Sequence, residues 1–152
     1  MDERARAYWQ KFLLETGRAE SLEPYECFSF ADSEESADAL AELVLSGKKR
    51  ATSGSVDGCR LSGQRPPRPG DLSLVTDWAG TPRCVIETET VTVLPFDEIT
   101  FERAALEGED EHIESWRKNH RGFFSREGER LGYAFHEKLP VAFETFRVVY
   151  PA

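Results

Sequence analysis

An α+β fold, a small mixed or antiparallel β-barrel with helices packed around it, is what the sequence predicts, on three observations. Segments of strand-like and helix-like hydrophobic period follow one another irregularly, without the regular alternation of a doubly wound sheet. The strand-like segments are joined by turns or by Pro- and Gly-rich connections. At 152 residues, 39% hydrophobic and 31% charged, with ten Phe and three Trp, the chain has the size and composition of a soluble domain that folds without disulfide or metal staples. Residues 1–152 are therefore expected to form a single domain, with an N-terminal helical extension at about 1–17.

Ala5, Tyr8, Trp9, Phe12 and Leu13 recur at i, i+3, i+4, i+7 and i+8, which places them on one helical face until Thr16-Gly17 stops it. Cys27-Phe28-Ser29-Phe30 reads as a short strand. A helix follows, with Asp32 as its expected N-cap, Glu35 as reciprocal partner, Ala37, Leu40, Ala41 and Val44 on one face, and Gly47 as its stop. Ala51 to Val56 is small and partly β-branched and reads as a strand. Residues 57–71, rich in Pro and Gly and holding Arg60, Arg65 and Arg68, are expected to form a mobile surface loop.

Leu72 to Thr76 is a strand, and a longer one runs from Arg83 to Leu94. Its alternation changes phase between Ile86 and Val91, which predicts a bulge near Glu87 to Thr90. A helix is expected over Asp97–Leu106, then an acidic run, Glu107-Gly108-Glu109-Asp110-Glu111. Asp110 and Glu111 suit the start of a further helix carrying Ile113, Trp116, His120 and Phe123. Val141 to Tyr150, β-branched and aromatic, closes the chain as a strand.

The net charge of −9 argues against the broad basic face of a non-specific duplex binder and leaves room only for a local basic site. Cys27, Cys59 and Cys84 are three in number and widely spaced, so they indicate ordinary thiols of a reducing compartment. The charged opening Met1-Asp2-Glu3-Arg4 lacks the apolar core of a signal peptide, and no stretch is long enough to span a membrane. A cytoplasmic protein is expected; whether it is a monomer or a dimer is left open.

The stretch Ser46-Gly47-Lys48-Lys49-Arg50-Ala51-Thr52-Ser53-Gly54 gathers three cations and three hydroxyls between a helix and a strand. Two readings fit it. Cations after a helix complement the negative end of its dipole. Alternatively, Lys49 removes a proton from the Thr52 hydroxyl, chemistry that burial or flanking cations such as Lys48 and Arg50 would favour. In the second case Glu107 or Glu109, flanking Gly108, could supply a general acid or base. His112, His120 and His136 lack metal-ligand spacing, so no metal site is expected, and His120, one turn after Trp116, reads as packed. Phosphate-loop, dinucleotide and nucleophile-elbow motifs do not occur.

Taken together, the 46–52 stretch, Val85-Ile86-Glu87-Thr88, Pro95-Phe96-Asp97-Glu98, Glu107-Gly108-Glu109-Asp110 with Trp116-Arg117, Phe123-Phe124-Ser125 and the closing Phe146 to Pro151 resemble the ASCH domain family in order and spacing. The resemblance runs from about Tyr25 to Pro151. It implies a PUA-like fold and a partner that is RNA or a small nucleoside ligand, with no metal or organic cofactor. The family's G-x-K-x-x-T pattern falls on Gly47, Lys49 and Thr52. In members that look like amidohydrolases of acetylated cytidine, the threonine is the nucleophile, the lysine activates it and a downstream glutamate assists; other members look like ribonucleases. Counting back from Trp116 puts that glutamate at Glu109, counting forward from Ala104-Ala105 at Glu107, and Glu109 is preferred. Arg50 stands where a small hydroxylated residue is frequent. Gly47, Lys48, Arg50, Glu107 and Ser125 complete the expected substrate-binding set. A metal-independent ribonuclease and a non-catalytic RNA-binding module are the alternatives.

Overall fold

The computed structural model describes residues 1–151 and has the expected α+β architecture, a five-stranded sheet curled into a half-barrel with helices against it. Helix α1 (Glu3–Thr16) starts at Asp2, whose carboxylate accepts the Ala5 amide at 2.9 Å, and ends at Gly17 in the left-handed conformation. Its buried face, Trp9, Phe12 and Leu13, packs with Leu74, Val85 and Tyr150 of the sheet.

The sheet order is β1 (Cys27–Phe28), β3 (Leu72–Thr76), β4 (Pro82–Pro95), β5 (Pro140–Tyr150), β2 (Ala51–Ser55). Strands β1 and β3 run parallel and every other neighbouring pair antiparallel. The predicted bulge is present, since the β4–β5 register shifts between Thr88 and Thr90 and passes over Glu89. Because the sheet is only half a barrel, its edge strands β1 and β2 stay unpaired with each other. Residues just beyond β1 and on β2 line the openings described below.

Helix α2 (Glu34–Leu45) covers one side of the sheet: Val44 packs with Phe30, Val75, Ile86 and Phe146. Its N-cap is Ser33, whose hydroxyl accepts the Ser36 amide, and not Asp32; the Asp32 carboxylate is drawn instead to Arg126, 2.6 Å away. Helix α5 (Ile113–Leu131) covers the other side, burying Trp116 and Phe124 against Phe96, Val141 and Phe143. Its N-cap is His112, with no side-chain cap bond, and Asp110 accepts from the Asn119 side chain at 3.0 Å, so the capping expected of Asp110 and Glu111 does not occur.

Two segments depart from expectation. The stretch expected to be a loop over 57–71 begins as helix α3 (Val56–Leu61), nucleated by the Ser55 hydroxyl accepting the Gly58 amide at 2.8 Å. The Pro-rich remainder is tied down by Arg65, which pairs with Asp71 at 2.6 Å and lies over the Tyr25 ring. The helix expected over 97–106 is broken into a 3₁₀ turn at Phe96–Glu98, a single turn α4 (Phe101–Ala104) capped by Thr100, and a second 3₁₀ turn at Ala105–Glu107.

Candidate functional site

The basic stretch is shaped by Gly47, whose φ of 81° turns the chain out of α2 while the Lys48 and Lys49 amides both donate to the Leu43 carbonyl. After that turn the Lys49 side chain runs inward and is only 2% exposed, so it is not a solvated helix end. The acidic segment is held against it by the Arg50 amide, which donates to the Leu106 carbonyl at 2.8 Å. Gly108, with φ 74°, allows the closest approach: a Cβ there would lie 2.6 Å from the Lys48 carbonyl oxygen.

The Lys49 ammonium has three donors and finds three acceptors: the Ala51 carbonyl at 2.9 Å, Glu109 Oε2 at 2.7 Å and Glu107 Oε1 at 3.4 Å. The Phe30 ring lies 5.3 Å from Nζ. Glu107, 1% exposed, is the most heavily bonded group of the cluster. Its Oε2 accepts from Ser53 Oγ and from Trp116 Nε1, both at 2.8 Å, and its Oε1 is 3.2 Å from His120 Nε2.

Burial by itself would raise the Glu107 pKa, but the Lys49 charge and the His120 and Trp116 contacts outweigh it and hold the carboxyl down at about 2. Burial opposes charge on His120 too, yet the bond to Glu107 prevails and raises its pKa. The other ring nitrogen of His120 faces the Trp116 carbonyl at 2.9 Å, so both nitrogens meet acceptors and the imidazolium form suits the site.

Lys49, Glu107 and Glu109 line a cavity of about 820 Å³ together with Lys48, Thr52 and Phe123. Both glutamates that the sequence left as alternatives therefore meet the lysine: Glu107 as its buried anchor, Glu109 as the carboxylate with 24% side-chain exposure at the cavity. Thr52 lines the cavity, but among the described residues no hydrogen bond joins it to Lys49. Gly47, Arg50 and Ser125 lie outside the cavity lining. Three contact residues escaped the sequence reading: Ser53, Trp116 and His120. Only the i, i+4 spacing of Trp116 and His120 hinted that they act on one partner.

A family model for the ASCH domain matches residues 26–150. The chain belongs to the ASCH domain family. It is similar to the ASCH domain of Lactobacillus crispatus JV V101, with 32% identity, TM-score 0.87, and 99% of this chain and 96% of that one covered. It is also similar to protein EF3133 of Enterococcus faecalis V583, with 27% identity, TM-score 0.89, and 98% and 90% covered. The hypothetical protein PH0355, at 22% identity and TM-score 0.52 over 82% of this chain and 96% of that one, shares the fold alone. No curated protein matches the chain.

In this ASCH chain the cavity is cationic at its rim. Arg126 is paired with Asp32 and Lys49 with the two glutamates, whereas Lys48 and Lys118, which also line it, make no ion pair among the described residues. Such lysines suit phosphate oxygens. No helix among the described residues is long and apolar enough to cross a membrane.

Proposed function

We propose that this ASCH protein binds a nucleoside or an RNA nucleotide in the 820 Å³ cavity and hydrolyses an amide on it, with acetylated cytidine as the substrate to test. The observation that carries the proposal is the 2.7 Å contact between Lys49 Nζ and Glu109 Oε2 within a cavity that Thr52 also lines.

A lysine whose three N–H groups are all engaged has no lone pair to accept a proton. It becomes a base by first passing a proton to Glu109. Thr52 Oγ then attacks the acetyl carbonyl carbon as its own proton moves to Lys49. The tetrahedral intermediate collapses by breaking the carbon–nitrogen bond, and Glu109 returns its proton to the leaving amine. Cytidine departs and the acetyl group stays on Thr52 as an ester. Water attacks that ester while Glu109 takes a water proton and delivers it to Thr52 Oγ, which releases acetic acid and restores the starting charges. Glu107 holds Lys49 in place throughout.

Incubation with acetylated cytidine should release cytidine, and Thr52→Ala should abolish the release. Equal inactivity of wild type and Thr52→Ala overturns the amidohydrolase reading. Lys48 and Lys118, without an ion pair among the described residues, favour a second reading, metal-independent cleavage of single-stranded RNA, with these lysines on phosphates. Cleavage of a labelled oligonucleotide in excess chelator supports that reading; salt-sensitive binding without either reaction indicates a binding module.

A further inference from the structure

On the other side of Phe30, Ala31, Thr52, Ser53 and Phe123, which line both spaces, lies a second cavity of about 400 Å³. Its chemistry is the reverse of the first. Glu26, Glu127 and Glu144 line it, and Arg130, on the exposed face of α5, is the one cation in its lining among the described residues. Glu127 is satisfied within the protein, accepting from the Ser55 and Tyr133 hydroxyls at 2.7 and 2.8 Å. Glu144 is not: the residue is 9% exposed and its Oε2, fully buried, has no hydrogen-bond partner among the described residues.

A buried carboxyl oxygen without a donor is costly, and native structures retain few of them. Here it belongs to β5 at the position directly opposite Thr52 of β2, so both side chains leave the same face of the sheet at the junction of the two cavities. The walls are aromatic: Tyr25, Phe28, Phe30 and Phe123. Burial pushes Glu144 up to about 7, helped by the charge of Glu26, and burial pushes Glu26 to about 7 as well.

We propose that this second cavity is a binding site for a guanine-type nucleobase, whose adjacent ring and exocyclic N–H groups donate to the Glu144 carboxylate while its ring lies among the aromatic walls. The aromatic side chains suit a planar ring. The acidic lining selects N–H donors and excludes a phosphate, which the neighbouring Lys48 and Lys118 would receive. The site does not depend on hydrolysis at the first cavity, because it is read by binding alone.

Calorimetric titration of the full chain with guanosine, inosine, adenosine and cytidine 5′-monophosphates tests the site. Guanosine monophosphate should bind at least about tenfold more tightly than inosine monophosphate, which lacks the exocyclic amine. Glu144→Gln should remove that preference, with thermal melting checked to show that the variant is folded, and Glu26→Gln should keep it. Binding is read without turnover, so failure of the hydrolase reading leaves this result untouched. Equal affinity for the guanine and inosine nucleotides, an unchanged preference in Glu144→Gln, or tighter binding of acetyl-arginine amide than of guanosine monophosphate overturns the proposal.

Discussion

Glu107 and Lys49, 1% and 2% exposed, form an ion pair at 3.4 Å in which each partner is held by further bonds. Removing one member of such a pair leaves a buried charge uncompensated. Glu107→Ala also strands the Ser53, Trp116 and His120 donors, and should cost about 3–5 kcal/mol in urea unfolding at pH 7. Combining it with Lys49→Met should restore part of the loss, giving a coupling of about 0.5–3 kcal/mol in the double-mutant cycle. Strict additivity of the two changes would contradict the pairing.

The same carboxyl sets an acid limit. Its pKa falls from 4.5 to about 2 on folding, since the Lys49 and His120 contacts overcome burial. A depressed folded value contributes stability that is complete above the unfolded value and is lost as pH drops through the folded one. Stability should therefore decline from about pH 4.5 down to about 2, and Glu107→Gln should flatten that limb. His120 acts in the opposite direction: with its folded pKa raised above 6.5, it contributes fully below 6.5 and loses its contribution as pH rises through the folded value. His120→Asn should flatten the upper limb in the same chemical-denaturation series.

Glu144 opposes folding at alkaline pH. Its pKa rises on folding from 4.5 to about 7, burial being the main cause, so the folded state binds the proton more tightly and stability falls as pH climbs from about 4.5 to 7. That rise corresponds to at most about 3 kcal/mol. Glu144→Gln should stabilise the protein by up to about that amount at pH 8 and by nothing at pH 4. A gain that is the same at both pH values would show that Glu144 does not titrate in this range.

Much of the fold was legible because single elements carry strong local signals. The Trp9, Phe12 and Leu13 stripe, the phase change at Glu87 to Thr90 and the β-branched run from Val141 each produced the element expected. Capping choices were not legible, since Asp32 and Ser33 are equally good caps and only the distant Arg126 decides between them. Helix α3 was hidden by Gly58, which reads as a loop residue; a Cβ there would lie 2.5 Å from both the Glu127 carboxylate and Ser55 Oγ. The approach of Lys49 to the acidic run followed from the family pattern and not from spacing. The burial of Lys49, and the contacts of Ser53 and His120 with Glu107, depend on tertiary packing between β2 and α5, which no local pattern records.

Gly108 offers the sharpest test of how the two charged segments are joined. Its left-handed φ of 74° is strained for any residue with a Cβ, and that Cβ would press on the Lys48 carbonyl from 2.6 Å. The nearest obstruction is Lys48 backbone, which cannot swing aside as a side chain can, so Gly108→Ala should destabilise by about 1–3 kcal/mol from conformational strain alone. The displacement falls on the turn that carries Glu107 and Glu109, so Glu109 should move relative to Lys49 while Glu107 stays fixed by Trp116. Activity, if it relies on the 2.7 Å contact, should fall more steeply than stability, and fall at saturating substrate as well as at low substrate. Gly132→Ala supplies the control: it also has a positive φ, 101°, but its Cβ would meet nothing within 4 Å, so it should lose stability without the matching loss of turnover.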